Sequence, residues 1–285
     1  MLFNQWWGGF SWIAKQIAFQ VPFEQNYFWM VTLLTMVIMV LEYCFPWRTK
    51  QSFFRKDWGL DLTYLYANVF IFAVMLEGIY GLIEGLVPKD AVWTVNLFQG
   101  WGWGWQLLVF FVLQDFLQWC VHRLLHASDW LWKFHQIHHS VEEMGVAAHF
   151  RYHWMENVFY KPTTLAVLAV FAGVEPEMVI LVHMGTLMVG HLNHANLNLD
   201  WGPLRYVFNS PRMHLLHHSA EHIRAGAVNF GLTLSCWDYV FGTAADSSDK
   251  GERSLGFDGM EDIPQGLIGQ LLHPFGSQSS QSSPS

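Results

Sequence analysis

Residues 114–140 read QDFLQWCVHRLLHASDWLWKFHQIHHS. The stretch begins as an apolar helix and ends as a run of imidazoles. His122 and His126 are one helical turn apart, so both rings leave the helix on one side. His135, His138 and His139 repeat that relation at i, i+3 and i+4. Farther along, His214, His217 and His218 reproduce the HxxHH pattern, preceded by a looser pair, His191 and His194. Fourteen of the fifteen histidines fall between positions 122 and 222. An apolar helix that runs straight into such a cluster places the cluster at one end of a helical bundle.

The composition around this stretch names the solvent. Of 285 residues, 52% are apolar, 17% aromatic and only 13% charged, against roughly 25% charged in an ordinary soluble domain. Mean hydropathy is +0.20 even with a Ser/Gln-rich C-terminus included. An intrinsically disordered chain is excluded by this hydrophobicity, and a nucleic-acid binder by the net charge of −8. A disulfide scaffold is excluded because only Cys44, Cys120 and Cys236 occur, each in an apolar context that reads as a buried free thiol. The sixteen Trp suit membrane interfaces. Trp101, Trp103, Trp105, Trp130 and Trp132, at span ends, read as interface anchors.

Working outward, residues 1–26 read as an interfacial helix with Trp6, Phe10, Ile13 and Ile17 as its apolar stripe, without the basic start or cleavage site of a signal peptide. Residues 27–121 read as the transmembrane region, with spans over 27–45, 60–87 and 105–121. A run of such length crosses about 30 Å of hydrocarbon. Glu42 lies in the first span and Asp115 in the third, while Asp61, Glu77 and Glu84 interrupt the second and should face protein or the interface and not lipid; Glu77 and Glu84 read as paired within the bundle in preference to lining a lipid tunnel. Arg48, Lys50, Arg55 and Lys56 crowd the first loop against Lys89 in the second, which predicts a cytoplasmic first loop. Residues 163–191 are apolar but broken by Gly173, Glu175, Pro176 and Glu177. Each half, ten to fourteen residues, is short for a crossing, and a hairpin that dips in and returns keeps the histidines before and after it together. Residues 244–285 read as a polar, partly disordered tail that carries −4 of the net charge. The expected fold is therefore all-α: an integral membrane bundle of about three spans plus a re-entrant hairpin, with a cytoplasmic helical cap carrying the histidines, residues 122–243 forming the catalytic region.

Three histidine boxes in matching spacing point to metal. No HExxH is present for zinc-peptidase chemistry, no Glu-x-x-His pair for a carboxylate-bridged di-iron bundle, and no CxxC for structural zinc or an iron–sulfur cluster. Eight or more imidazoles exceed the three or four protein ligands of one zinc, which points to two ions. Imidazole suits iron, zinc and copper alike. Two further classes stay in view. A His-rich metal transporter would need ionisable residues spaced through complete spans, and a zinc-stabilised membrane protein would need no substrate.

The stretch 114–140 and PRMHLLHH at 211–218 resemble the signature of the fatty acid hydroxylase/sterol desaturase superfamily. HFRYHWME at 149–156 resembles its Arg-aromatic-His-Pro-x-Glu element, with Trp154 where proline is usual. HANL at 194–197, NFG at 229–231 and WDYVFGT at 237–243 resemble further family segments, so the resemblance covers about residues 55–243. It implies a membrane-bound, non-haem di-iron enzyme that uses O2 to hydroxylate or desaturate a fatty-acyl, sterol or ether lipid. The implied metal ligands are His122, His126, His135, His138, His139, His194, His214, His217 and His218. His191 is a tenth candidate, since some members place two ligands here at four-residue spacing, whereas here the separation is three.

Other histidines and acids take supporting readings. His153, Arg151 and Glu156 are candidates to orient ligand imidazoles. Asp115 reads equally as such a partner or as an acid that caps backbone or pairs with Arg123. His149 and His222 read as interfacial, His183 as hydrogen-bonded in the bundle, and His273 as incidental. The implied cofactors are two Fe ions, with zinc as the metal able to replace them on isolation. O2 is the implied co-substrate. The implied partners are a lipid substrate and an external electron donor, a separate ferredoxin, cytochrome b5-like protein or reductase.

Overall fold

The structure, a computed structural model, describes residues 2–78, 98, 100–170, 175–245 and 253–276. Among the described residues every regular element is helical. Three helices are long and apolar enough to cross a membrane: α2 (Tyr27–Cys44), α3 (Trp58–Gly78) and α4 (Trp103–Ala127). They follow α1 (Leu2–Ile17) and precede α5 (Asp129–His139), α6 (Met155–Val170), α7 (Pro176–His194), α8 (Pro211–His217), α9 (Cys236–Val240) and α10 (Leu267–Leu272).

The first span turns its polar residues inward. On α2, Thr32, Thr35 and Glu42 are buried while Met36, Val37 and Val40 stand more than half exposed, the arrangement a lipid solvent stabilises. Cys44 shares the exposed side, so that thiol is not buried as expected, because it falls on the lipid-facing side of α2. Asn68 lies in a widened π turn of α3 (Ala67–Phe72). Its amide donates to the carbonyls of both Phe150 and Tyr152 at 2.9 Å, which ties α3 to the loop after the first histidine boxes. Glu84, Lys89 and Asp90 lie outside the described residues.

Two differences from the sequence expectations position the site. α4 does not stop at Val121 but continues to Ala127, carrying His122 and His126 on the span itself. Ser128 then caps α5 by accepting from Leu131 N. The two arms of the hairpin are longer than expected, 16 residues in α6 and 19 in α7, or about 24 and 28 Å. Their polar ends extend the helices because the site satisfies them: Glu156 on α6 and His194 on α7 both reach histidines of α5. Both arms therefore meet the histidine-bearing end, and they pack on α4 through Phe110, Val167, Met178 and Val182.

On α1 the inward face is Trp6, Gly9, Ile13 and Gln16, and Phe10 and Ile17 are exposed. The stripe is rotated from the expected one because polar contacts set it. Trp6 Nε1 donates to Met75 O at 3.0 Å, and Gln16 Oε1 accepts from Phe28 N at 2.8 Å. At the other end of the chain, residues 253–276 pack on the bundle rather than trailing from it: Ile263 is buried with Tyr64 and Ile137, and Leu271 O accepts from His153 Nε2 at 2.9 Å.

Candidate metal centre

The nine histidines singled out above converge in two buried groups. His122, His126, His135, His139 and His217 form one, and His138, His194, His214 and His218 the other. Helical spacing explains the split. In α5 the i, i+4 pair His135 and His139 serves the five-membered group while His138 turns to the second. In the α8 box the pair His214 and His218 serves the second group while His217 turns to the first. The groups are adjacent: the rings of His139 and His218 stack at 4.2 Å.

Each group has the marks of a site for one ion. In the four-membered group, His194 Nε2 lies 3.2 Å from His138 Nε2 and 3.0 Å from His214 Nε2, and His218 Nε2 lies 3.1 Å from His214 Nε2. Nitrogens sharing one ion at about 2.1 Å stand about 3.0–3.4 Å from one another. In the five-membered group both ring nitrogens of His126 and His139, and Nε2 of His135 and His217, are buried with no hydrogen-bond partner. Buried polar atoms without partners are rare and costly, and a metal ion satisfies such lone pairs at once. The residues present fit two imidazole-bound ions.

Outer partners fix the inward nitrogen. Nδ1 of His122 donates to Phe230 O at 2.7 Å, of His217 to Val228 O at 2.7 Å, of His138 to Arg151 O at 3.1 Å, and of His194 to Gly190 O at 2.8 Å. His135 Nδ1 donates to Glu156 Oε2 at 2.9 Å. With Nδ1–H committed outward, Nε2 carries the lone pair toward the group. Burial, reinforced by the neighbouring rings, holds His138, His139, His214 and His218 well below the usual imidazole range, and burial takes His217 to about 3. All five are neutral at physiological pH, the form that binds metal.

The loop supplying two of those carbonyls is itself held by acids. Asp238 accepts from Phe230 N, Gly231 N, Trp119 Nε1 and Thr243 Oγ1 at 2.7–3.0 Å. Asp115 accepts from Thr233 N and Trp237 Nε1. Asp115 therefore caps backbone and touches no imidazole. Gly231 is required there, since a Cβ would lie 2.5 Å from Leu234 O.

The supporting candidates divide. Glu156 orients His135 as expected, and Arg151 orients His138 through its carbonyl while its guanidinium pairs with Asp61 and Asp57. His153 holds the C-terminal segment instead of an imidazole. His191 joins neither group; it contacts Thr35 and His149. His149 is not interfacial, because its ring stacks on His194 with centroids 4.8 Å apart. His183 bonds Tyr27 Oη at 2.6 Å, and Glu77 pairs with Lys161. Trp132 is buried at 5.2 and 5.3 Å from the rings of His126 and His139, so it walls the centre, whereas Trp101, Trp103, Trp105 and Trp130 are exposed. Asp238 was missed by the sequence reading, although it lies in the WDYVFGT segment quoted above.

A cavity of about 330 Å³ opens on the histidines. His122, His135, His138, His194 and His214 line one part, and Ala73, Leu76, Thr164, His183 and Leu187 line its extension along α3, α6 and α7. Fold and site together define a membrane helical protein with a paired poly-imidazole centre.

Comparison with known proteins names the family. Residues 107–243 match the fatty acid hydroxylase family, and this match, with the relatives that follow, supports the resemblance to that superfamily. It is 30% identical to ornithine lipid hydroxylase OlsE of Rhizobium tropici over 175 residues, 61% of this chain and 52% of that protein. It is 28% identical to alkylglycerol monooxygenase of Xenopus tropicalis over 237 residues, 77% of this chain and 48% of the relative. Methylsterol monooxygenase 1-1 of Arabidopsis thaliana is 26% identical over 151 residues, 52% and 48% of the two chains. The chain thus spans about half the length of the curated relatives it matches. No solved structure matches. A metal transporter or a non-catalytic zinc protein is not favoured by these relatives.

Proposed function

We propose that this protein is a membrane-bound, O2-dependent di-iron monooxygenase or desaturase that oxidises a C–H bond of a polar-headed lipid. The observation that carries the reading is the pair of buried histidine groups at the inner end of a cavity running along the spans. His122, His126, His135, His139 and His217 would hold one iron, and His138, His194, His214 and His218 the other. When bound, the irons supply O2 activation and the redox chemistry of the C–H bond.

The chain's own residues do the rest. His122, His135, His138, His194 and His217, whose outer nitrogens are tied to carbonyls and to Glu156, hold their geometry without rearrangement. Burial of all nine excludes water. The apolar wall at Leu76 and Leu187 suits a lipid chain that enters from the bilayer. Electrons come from a separate carrier protein, and the centre faces the cytoplasm. The cationic first loop supports that orientation: Lys56 pairs with Glu142 and Arg48 donates to Met144 O, so the loop lies at the histidine end. The named relatives act on ornithine lipids, alkylglycerols and methylsterols, and a glycerol- or amino-acid-headed lipid is the substrate class proposed for this chain.

The test is mass spectrometry of lipids from cells expressing the wild type under 18O2, beside a folded His217→Ala variant. Label in a lipid alcohol, or an added double bond in an acyl chain, seen only with the wild type supports the reading. Identical lipid profiles would sink it.

A further inference from the structure

The hydrogen bonds around His149 fix the direction of every proton in a short chain. Thr35 Oγ1 lies 2.8 Å from Val31 O and 2.9 Å from His191 Nε2. A carbonyl only accepts, so the single hydroxyl proton of Thr35 goes to Val31, and Thr35 must accept from His191 Nε2–H. A neutral His191 then has its lone pair on Nδ1. That nitrogen lies 2.7 Å from His149 Nδ1, so His149 Nδ1–H donates to it. The lone pair of His149 is left on Nε2, which makes no hydrogen bond among the described residues.

His149 and Gly190 both line the cavity. A Cβ at position 190 would lie 2.5 Å from His149 Nε2, so glycine there lets the ring lie against α7 beside His194. A second acceptor stands on the same wall. Asn193, 2% exposed, commits its amide Nδ2 to Leu232 O at 2.8 Å and leaves Oδ1 buried without a partner. Asn193 also lines the cavity. The donor-and-acceptor tally is one-sided: His149 Nε2 and Asn193 Oδ1 both accept, and neither has a donor among the described residues.

We propose that His149 and Asn193 form a donor-reading subsite beside the metal centre. It binds O–H or N–H groups of the lipid head and so places the neighbouring carbons at the metals. Thr35 and His191 are positioning residues that set the tautomer of His149. The proposal rests on the functional reading above for its substrate, but the binding step stands apart from turnover.

The test uses the full-length protein as purified, in nanodiscs without reductant, and measures equilibrium binding of two probes. One is 1-O-hexadecylglycerol, with two hydroxyl donors, and the other is its di-O-methyl ether, with none. Wild type should prefer the diol by about tenfold, the value of one to two neutral hydrogen bonds. The preference should fall to within about twofold in His149→Phe, which keeps a ring on His194, and in Gly190→Ala, which displaces the His149 ring; Asn193→Leu should lower it in part. Metal content in His149→Phe and Asn193→Leu should match wild type. Equal binding of both probes by wild type, or an undiminished preference in His149→Phe, overturns the subsite whether or not the protein oxidises lipid. Loss of metal from His149→Phe overturns it too, by making His149 a ligand. Failure of the 18O2 experiment with a preserved diol preference would instead remove the oxygenase reading alone.

Discussion

The two histidine groups differ in what surrounds them. The five-membered group is walled by Trp132 and held by the loop at 228–231 and by the carboxylate of Glu156. The inward nitrogens of His126, His135, His139 and His217 are buried without hydrogen-bond partners. The four-membered group is anchored only through main-chain carbonyls, Arg151 O and Gly190 O, and its Nε2 atoms already stand 3.0–3.2 Å from one another. It also borders the polar wall of His149 and Asn193. Both groups reach the cavity, the first through His122 and His135 and the second through His138, His194 and His214, but the first has a carboxylate partner in Glu156 while the second borders His149 and Asn193. Both HxxHH boxes feed both groups, and the groups differ in what is added, His122 and His126 in one and His194 in the other, as well as in their outer partners.

The heaviest blow to this asymmetry is loss of a ligand. His139→Ala should empty the five-membered group and His218→Ala the four-membered one, each leaving about one metal per chain where wild type holds about two, with lipid oxidation abolished in both. Metal analysis beside product analysis checks this. A gentler break is Glu156→Ala, which leaves the ligands in place but frees His135 Nδ1. Loss of such an outer partner typically costs 10–100-fold in metal affinity or activity, and the four-membered group should keep its metal.

Acid separates the metal-free protein from the loaded one. The folded-state pKa of His217 is about 3, below the unfolded value of about 6.5. Below pH 6.5 the unfolded chain binds a proton that the folded chain refuses. The stability is therefore fully present above about pH 6.5 and is lost as pH falls toward 3, by about 2 kcal/mol for this one ring at about pH 5. Thermal unfolding of chelator-treated protein should fall over that window, and metal should suppress the fall; a flat profile without metal would contradict the burial argument. The smallest effect is Asp238→Asn, which turns an amide N–H toward the backbone donors it should accept. About 1–3 kcal/mol of stability should be lost, and because the 228–231 loop holds His122 and His217, metal should leave the five-membered group first.

The nine converging histidines were legible in the sequence because helical spacing and histidine chemistry are both local. His122 and His126, or His214 and His218, declare their common face by a four-residue step. The split into two groups was not legible, since nothing in HxxHH says which ring turns which way until α5 and α8 face each other. Backbone acceptors such as Val228 O, Phe230 O and Gly190 O have no side-chain signature at all. Trp132 carries the same composition signal as the exposed Trp130 two residues earlier, and only the turn of α5 sends one to lipid and the other to the metals. The inward face of α1 was misread because Gln16 and Gly9 bury through a hydrogen bond and a close approach, and hydrophobic periodicity ranks neither.

The central claim is that the nine histidines bind two irons, one in each group. Anomalous scattering collected at the iron edge from crystals of the iron-loaded protein tests it most directly. The account requires two peaks, one enclosed by His122, His126, His135, His139 and His217 and the other by His138, His194, His214 and His218. A single peak shared between the groups, or none at either, would contradict it.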